Sequence, residues 1–238
     1  FKISRGKFND FLTCPRCFYL DRVKGLVSPD TPGWTLNETT DLLLKKEFDV
    51  CRKEQKPHRI FIKNNLDHLV PFKHEDFEQW TKSLQLGFRT EHPSTNLIIG
   101  GGLDDVWHDR TSDQLFIVDY KSTASRANED KTALAEITLE GAYKKGYKRQ
   151  MEIYQWIMRQ NEFNVSDTAY FVYCNGIKNK TEFNNKLEFK VKLIPYIGND
   201  QWVEPTLLDI KYCLLAEEPP EAASDCSHCK YVTKILTV

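Results

Sequence analysis

Two C-x-x-C pairs stand near opposite ends of this chain, Cys14-Pro15-Arg16-Cys17 and Cys226-Ser227-His228-Cys229. Together they supply four thiolates, the ligand count of a tetrahedral zinc site or of a four-iron cluster. They can share one centre only if the N-terminal and C-terminal segments fold against each other, so metal-binding energy becomes folding energy. A compact zinc finger keeps its pairs close in sequence, so this spacing describes a staple between residues 1–25 and 216–238. His228 is a substitute ligand for one sulfur, though four sulfurs is the simpler set. Cys51, Cys174 and Cys213 are isolated and read as small buried apolar residues.

Length and charge bound the rest. The 238 residues are enough for one good core, and length favours a single domain over 1–238. With 33 basic against 34 acidic residues the net charge is −1, so a polyanion is met by a local groove and not by bulk charge. No apolar run approaches the roughly 20 residues of a membrane span. The opening Phe1-Lys2-Ile3-Ser4-Arg5 has no apolar signal region, which leads us to expect a cytoplasmic, intracellular protein. Seven cysteines in that setting argue against a disulfide framework.

Gly101-Gly102-Leu103-Asp104 and Leu115-Phe116-Ile117-Val118-Asp119-Tyr120-Lys121 read as two short strands around the polar turn His108 to Gln114. A hairpin centred between Thr111 and Ser112 sets Asp104 opposite Asp119. Lys121 falls on the same face, because side chains alternate along a strand. Gly102 opposite the lysine leaves it room. Two carboxylates this close need a cation between them or a raised pKa. An acid two residues before a lysine also occurs at Glu54/Lys56, Glu129/Lys131, Glu188/Lys190 and Asp209/Lys211; only Asp119 follows an apolar run. The alternative is an ordinary hairpin with a surface salt bridge.

Ser4 caps a helix starting near Arg5, Pro15 interrupts it, and Cys17 to Val23 continues as a second piece. Ser28 to Gly33 is a turn cluster, and Asn37 to Arg52 is a helix with Leu42, Leu43, Leu44, Phe48 and Cys51 as its apolar pattern. Pro57 to Pro71 reads as irregular and Glu75 to Leu86 as helical. Ser122 to Asp130 is a polar loop. Tyr143, Tyr147, Met151, Tyr154, Ile157 and Met158 stripe a long helix that also carries Lys144, Lys145, Lys148 and Arg149. Those cations read first as a solvated face, and alternatively as phosphate contacts. Thr168 to Cys174 and Leu187 to Ile194 are strands, and Val203 to Leu215 a further helix. The order predicts an α/β (α+β) domain with a mixed central sheet flanked by helices.

Together Gly101-x-x-Asp104, Asp119-Tyr120-Lys121 and Gln150-x-x-x-Tyr154 resemble the PD-(D/E)xK nuclease superfamily, most closely its RecB-like branch. That branch includes CRISPR-associated adaptation exonucleases and AddB-type helicase–nucleases. The Cys14-Pro15-Arg16-Cys17 segment and Cys226-x-x-Cys229 are similar to the cysteine elements of its iron–sulfur members. The resemblance implies a restriction-endonuclease-like core and a metal-dependent DNase, exonuclease-like, with a helicase or other nucleic-acid-processing protein as partner. It implies Asp104, Asp119 and the Tyr120 carbonyl as ligands of Mg²⁺ or Mn²⁺. Asp104, Asp119, Lys121, Gln150 and Tyr154 become the catalytic set. The centre at Cys14, Cys17, Cys226 and Cys229 becomes a [4Fe–4S] cluster, with Zn²⁺ as the alternative. Two departures stand out. Ile235 falls where the family's last cysteine would be. The helix before the hairpin lacks the histidine many members use, Lys45 aligning there with Asp41, Glu47 and Asp49 nearby. A non-catalytic nucleic-acid-binding subunit therefore stands as the rival reading, and a metalloprotein with purely structural carboxylates as a third.

Overall fold

The computed structural model describes residues 1–27, 33, 35–82, 87–124 and 136–237. Strand β1 (Lys2–Ser4) runs into helix α1 (Arg5–Thr13), with the Ser4 hydroxyl accepting from the Lys7 amide as the cap. Cys14 breaks the helix in an extended conformation and caps α2 (Pro15–Arg22), whose first residue is the proline that tolerates this position. Then follow α3 (Thr35–Glu54), α4 (Arg59–Lys63), β2 (Leu69–Pro71), α5 (Phe77–Trp80), β3 (Phe88–His92) and β4 (Leu97–Gly101). Strands β5 (Asp105–Asp109) and β6 (Gln114–Thr123) make the hairpin. Helix α6 (Lys145–Gln160), entered through a 3₁₀ turn at Ala142–Lys144, crosses to β7 (Thr168–Gly176). The chain ends with β8 (Phe189–Ile197), α7 (Val203–Leu215) and α8 (Ser227–Ile235).

The strands form two sheets, β1-β4-β3 and β2-β5-β6-β7-β8, both mixed. In the larger one β6 lies at the centre, antiparallel to β5 and parallel to β7. Period-two alternation divides its residues between two cores. Leu115 and Ile117 face α6, whereas Phe116, Val118 and Tyr120 lie on the opposite face in a cluster with Phe48 of α3, Phe61 of α4 and the β5 residue Trp107. The mixed α/β class with flanking helices is as the sequence predicts.

Local expectations are corrected in several places. The hairpin ladder stops at Asp105↔Val118, because Gly101 already closes β4 in the other sheet. Gly102 therefore lies in the crossing between the sheets and is not paired with Lys121, which instead sits opposite Tyr173 of β7. The stretch Pro57 to Pro71 contains α4 and β2, α4 being capped by the His58 ring. Of Glu75 to Leu86 only Phe77–Trp80 is helical; the Trp80 carbonyl accepts from the Leu103 amide, drawing the chain onto the crossing. Residues 83–86 lie outside the described set, as do 28–32 and 125–130 of the expected turn and loop. Strand β6 extends through Ser122 and Thr123, held by β7. On α3, Leu42 and Leu43 are exposed and Arg52 is buried instead.

Candidate active site and four-thiolate centre

The hairpin register is the one its turn predicts: Asp105, Val106 and Trp107 pair with Val118, Ile117 and Phe116. Asp104 comes one residue before β5, so its carboxylate lies beside the β6 backbone, where its Oδ2 accepts from the Tyr120 amide at 2.9 Å. Asp119 and Lys121 share the α6 face of β6. Gln150 of α6 donates through Nε2 to Asp119 Oδ1 at 2.6 Å. Lys121 forms an ion pair with Asp119 Oδ2, lies 3.4 Å from the Tyr120 carbonyl oxygen, and packs over the Tyr147 ring.

This carboxylate pair is under electrostatic stress. Burial pushes the Asp119 carboxyl up to about 7, the Lys121 ammonium opposes that, and Asp104 adds to it. Asp119 Oδ2 is buried without a hydrogen bond. The Lys121 ammonium touching it is its charge partner, so a cation bound here would share this oxygen with the lysine. Two mutually crowded carboxylates beside a backbone carbonyl fit a hard divalent cation that takes oxygen ligands.

Tyr154, one turn beyond Gln150, donates its hydroxyl to the Gly102 carbonyl at 2.8 Å. It thereby ties α6 to the crossing that delivers Asp104. This closeness also explains a glycine: a Cβ at Gly101 would come within 2.6 Å of the Tyr154 hydroxyl. Burial pushes the Tyr154 phenol up to about 12, with Arg5 opposing. Lys144 is buried and spent on the Thr138 carbonyl. Lys145, Lys148 and Arg149 line a cleft of about 420 Å³ with Tyr196 and Trp202.

Lys45 on α3 has its Nζ 2.8 Å from Asp41 and 3.5 Å from Asp104 Oδ1. Burial lowers the Lys45 pKa, but Asp104 and Asp41 outweigh it and hold the ammonium above its usual value. Glu47 and Asp49 are engaged elsewhere, with His58 and Arg59 and with Arg52. Sequence reasoning missed Asp105, whose fully buried carboxylate takes Arg52 at 2.6 Å, the Tyr120 hydroxyl at 2.6 Å and the Trp107 indole. The signal was available: alternation turns Asp105 away from Asp104, and a buried acid demands a cation such as Arg52.

Elsewhere in the fold Cys14, Cys17, Cys226 and Cys229 bring their sulfurs within 4.8 Å of one another. Both pairs sit at helix starts. Cys14 caps α2, and Cys226 caps α8 with its sulfur accepting from the Cys229 amide. Burial raises the Cys14 pKa, but amides of Ala223 and Cys17 overcome it and bring the thiol down to about 7. Cys51, Cys174 and Cys213 stand outside this group.

Among the described residues no helix is long and apolar enough to cross a membrane. The sequence profile of the PD-(D/E)XK nuclease superfamily matches residues 38–233. No curated protein matches the chain.

Proposed function

Because this chain belongs to the PD-(D/E)XK nuclease superfamily, we propose that it is a metal-dependent DNA nuclease. Its site is the point where β6, the crossing before β5 and α6 meet. The observation that carries this reading is the buried Asp119 carboxylate, bonded to Gln150, paired with Lys121 and crowded by Asp104. Asp104, Asp119 and the Tyr120 carbonyl would hold Mg²⁺ or Mn²⁺. Bound there, the ion would supply a water of lowered pKa and offset charge on the scissile phosphate.

The remaining roles belong to side chains. Lys121 stabilises the negative charge that develops on the phosphoryl oxygens, a contribution that is large where the donor is already oriented. Gln150 fixes the rotamer of Asp119, leaving its second oxygen for the cation. Tyr154 holds the Gly102 carbonyl and so the approach of Asp104. The motif resemblance to the RecB-like branch is the ground for proposing exonuclease action within a single domain over 1–238, with a helicase or other nucleic-acid-processing protein as partner.

The test is direct. Single- and double-stranded DNA are incubated with and without Mn²⁺, beside Asp119→Ala. Cleavage that needs both the metal and Asp119 is expected. Intact DNA under every condition, with binding retained, would instead favour a non-catalytic DNA-binding subunit. One observation supports that second reading: the Lys45 ammonium 3.5 Å from Asp104 places a fixed cation where a ligand would be useful.

A further inference from the structure

The four cysteine sulfurs all lie within 4.8 Å of one another. Cys17 is 3.4 Å from Cys229 and 3.7 Å from Cys226, and Cys14 is 3.8 Å from Cys229. Thiolate bonds of about 2.3 Å around one tetrahedral ion place its sulfurs about 3.8 Å apart. These three separations lie at or just below that edge. A four-iron cluster makes a different demand, because each thiolate binds a separate iron and the whole inorganic core lies between them. Sulfurs that all fall within 4.8 Å leave no room for such a core.

The surroundings suit a single ion. Four thiolates around one divalent cation carry net negative charge, and both pairs sit at helix starts, where at α8 the Cys229 amide donates to the Cys226 sulfur. His228 Nδ1 stands 3.6 Å from Cys17 Sγ, a supporting contact outside the ligand set. Helix α8 has no buried residue of its own; Tyr231, Val232 and Ile235 are all exposed. Apolar packing therefore does not hold it.

We propose that Cys14, Cys17, Cys226 and Cys229 bind one tetrahedral thiophilic ion of the zinc class, in place of the four-iron cluster the family resemblance implies, and that this ion is what fastens α8 to α1 and α2. The proposal goes beyond the nuclease reading and does not depend on it, since it requires nothing of Asp104 or Asp119.

Protein purified anaerobically from medium supplied with both iron and zinc should be colourless and carry one zinc per chain by elemental analysis. Brown protein with about four irons per chain, or protein with neither metal, overturns the proposal. Cobalt exchanged into the full-length protein should give the strong visible bands of a tetrahedral thiolate site; the faint spectrum of an octahedral site counts against it. Chelation should open residues 216–238 to limited proteolysis, with protection restored by adding zinc alone. Unchanged protection after complete zinc loss would overturn the fastening role. Cys51→Ser, outside the ligand set, should keep its zinc; its loss there would also speak against these four ligands.

Discussion

At the scale of single residues, Asp119 combines a stability cost with a functional use. Its folded-state pKa is raised from 3.8 to about 7. A carboxyl shifted in this direction favours the fold below its ordinary pKa and loses that contribution as pH rises through the folded value. Metal-free protein should therefore lose stability between about pH 4 and 7 through this group. Each pKa unit corresponds to about 1.4 kcal/mol, so the loss is on the order of a few kcal/mol. Asp119→Asn should flatten that slope in thermal melts taken across the range, and lower divalent-dependent cleavage by ~10²-fold or more. An unchanged slope would mean that the charge is not the source of the stress. Lys121→Ala should reduce turnover far more than DNA affinity, because the lysine acts chiefly in the transition state; equal losses would make it a binding residue. Lys45→Ala should tighten Mn²⁺ binding in calorimetry, since it removes an ammonium 3.5 Å from Asp104. Weaker binding would show instead that Lys45 holds the carboxylate in place.

Among the elements, the contact of α3 with α4 contains a histidine whose charge the fold resists. The His58 ring stacks on Phe48 at 4.1 Å, its Nδ1 accepts from the Ile60 amide as the α4 cap, and its Nε2 meets Glu47 at 3.2 Å. Burial lowers its pKa from 6.5, with Glu47 partly opposing. A depressed base contributes stability that is present above its unfolded pKa and is lost as pH falls through the folded value. Melting temperature should thus drop below about pH 6.5, where protonating Nδ1 also removes the cap. His58→Asn can cap α4 without titrating and should remove the dependence; if the drop persists in that variant, its origin lies elsewhere. The same element shows where sequence reading falls short. Five residues of helix inside Pro57 to Pro71 have too little periodicity to register, and their stability comes from Ile60 and Phe61 packing around Phe48 and Trp107.

Across the whole molecule the ends of the chain are tied together. The Tyr19 hydroxyl donates to the carbonyls of Ala216 and Glu217, and the cysteine centre lies beyond that contact. Cys226→Ser should therefore lower the melting temperature of the entire protein. A loss of ~3 kcal/mol would shift it by roughly 6–12 °C for a domain of this size. Cys51→Ser should leave it nearly unchanged; similar losses in both would deny the staple its special place. Patterns local to the chain could be read from sequence, because period-two and period-3.6 burial, turn chemistry and C-x-x-C spacing are properties of neighbouring residues. Strand β6, helices α6 and α7, the hairpin register and the two C-x-x-C pairs themselves all belong here. What depended on distant partners could not be read. The sheet breaks in two at Gly101 because β1 claims β4. Lys45 reaches Asp104 and Asp105 finds Arg52 only because α3 lies against the β5–β6 hairpin. The spacing of the sulfurs, which separates one ion from a cluster, likewise depends on how two chain ends approach in space; ligand identity is local, but ligand separation is tertiary.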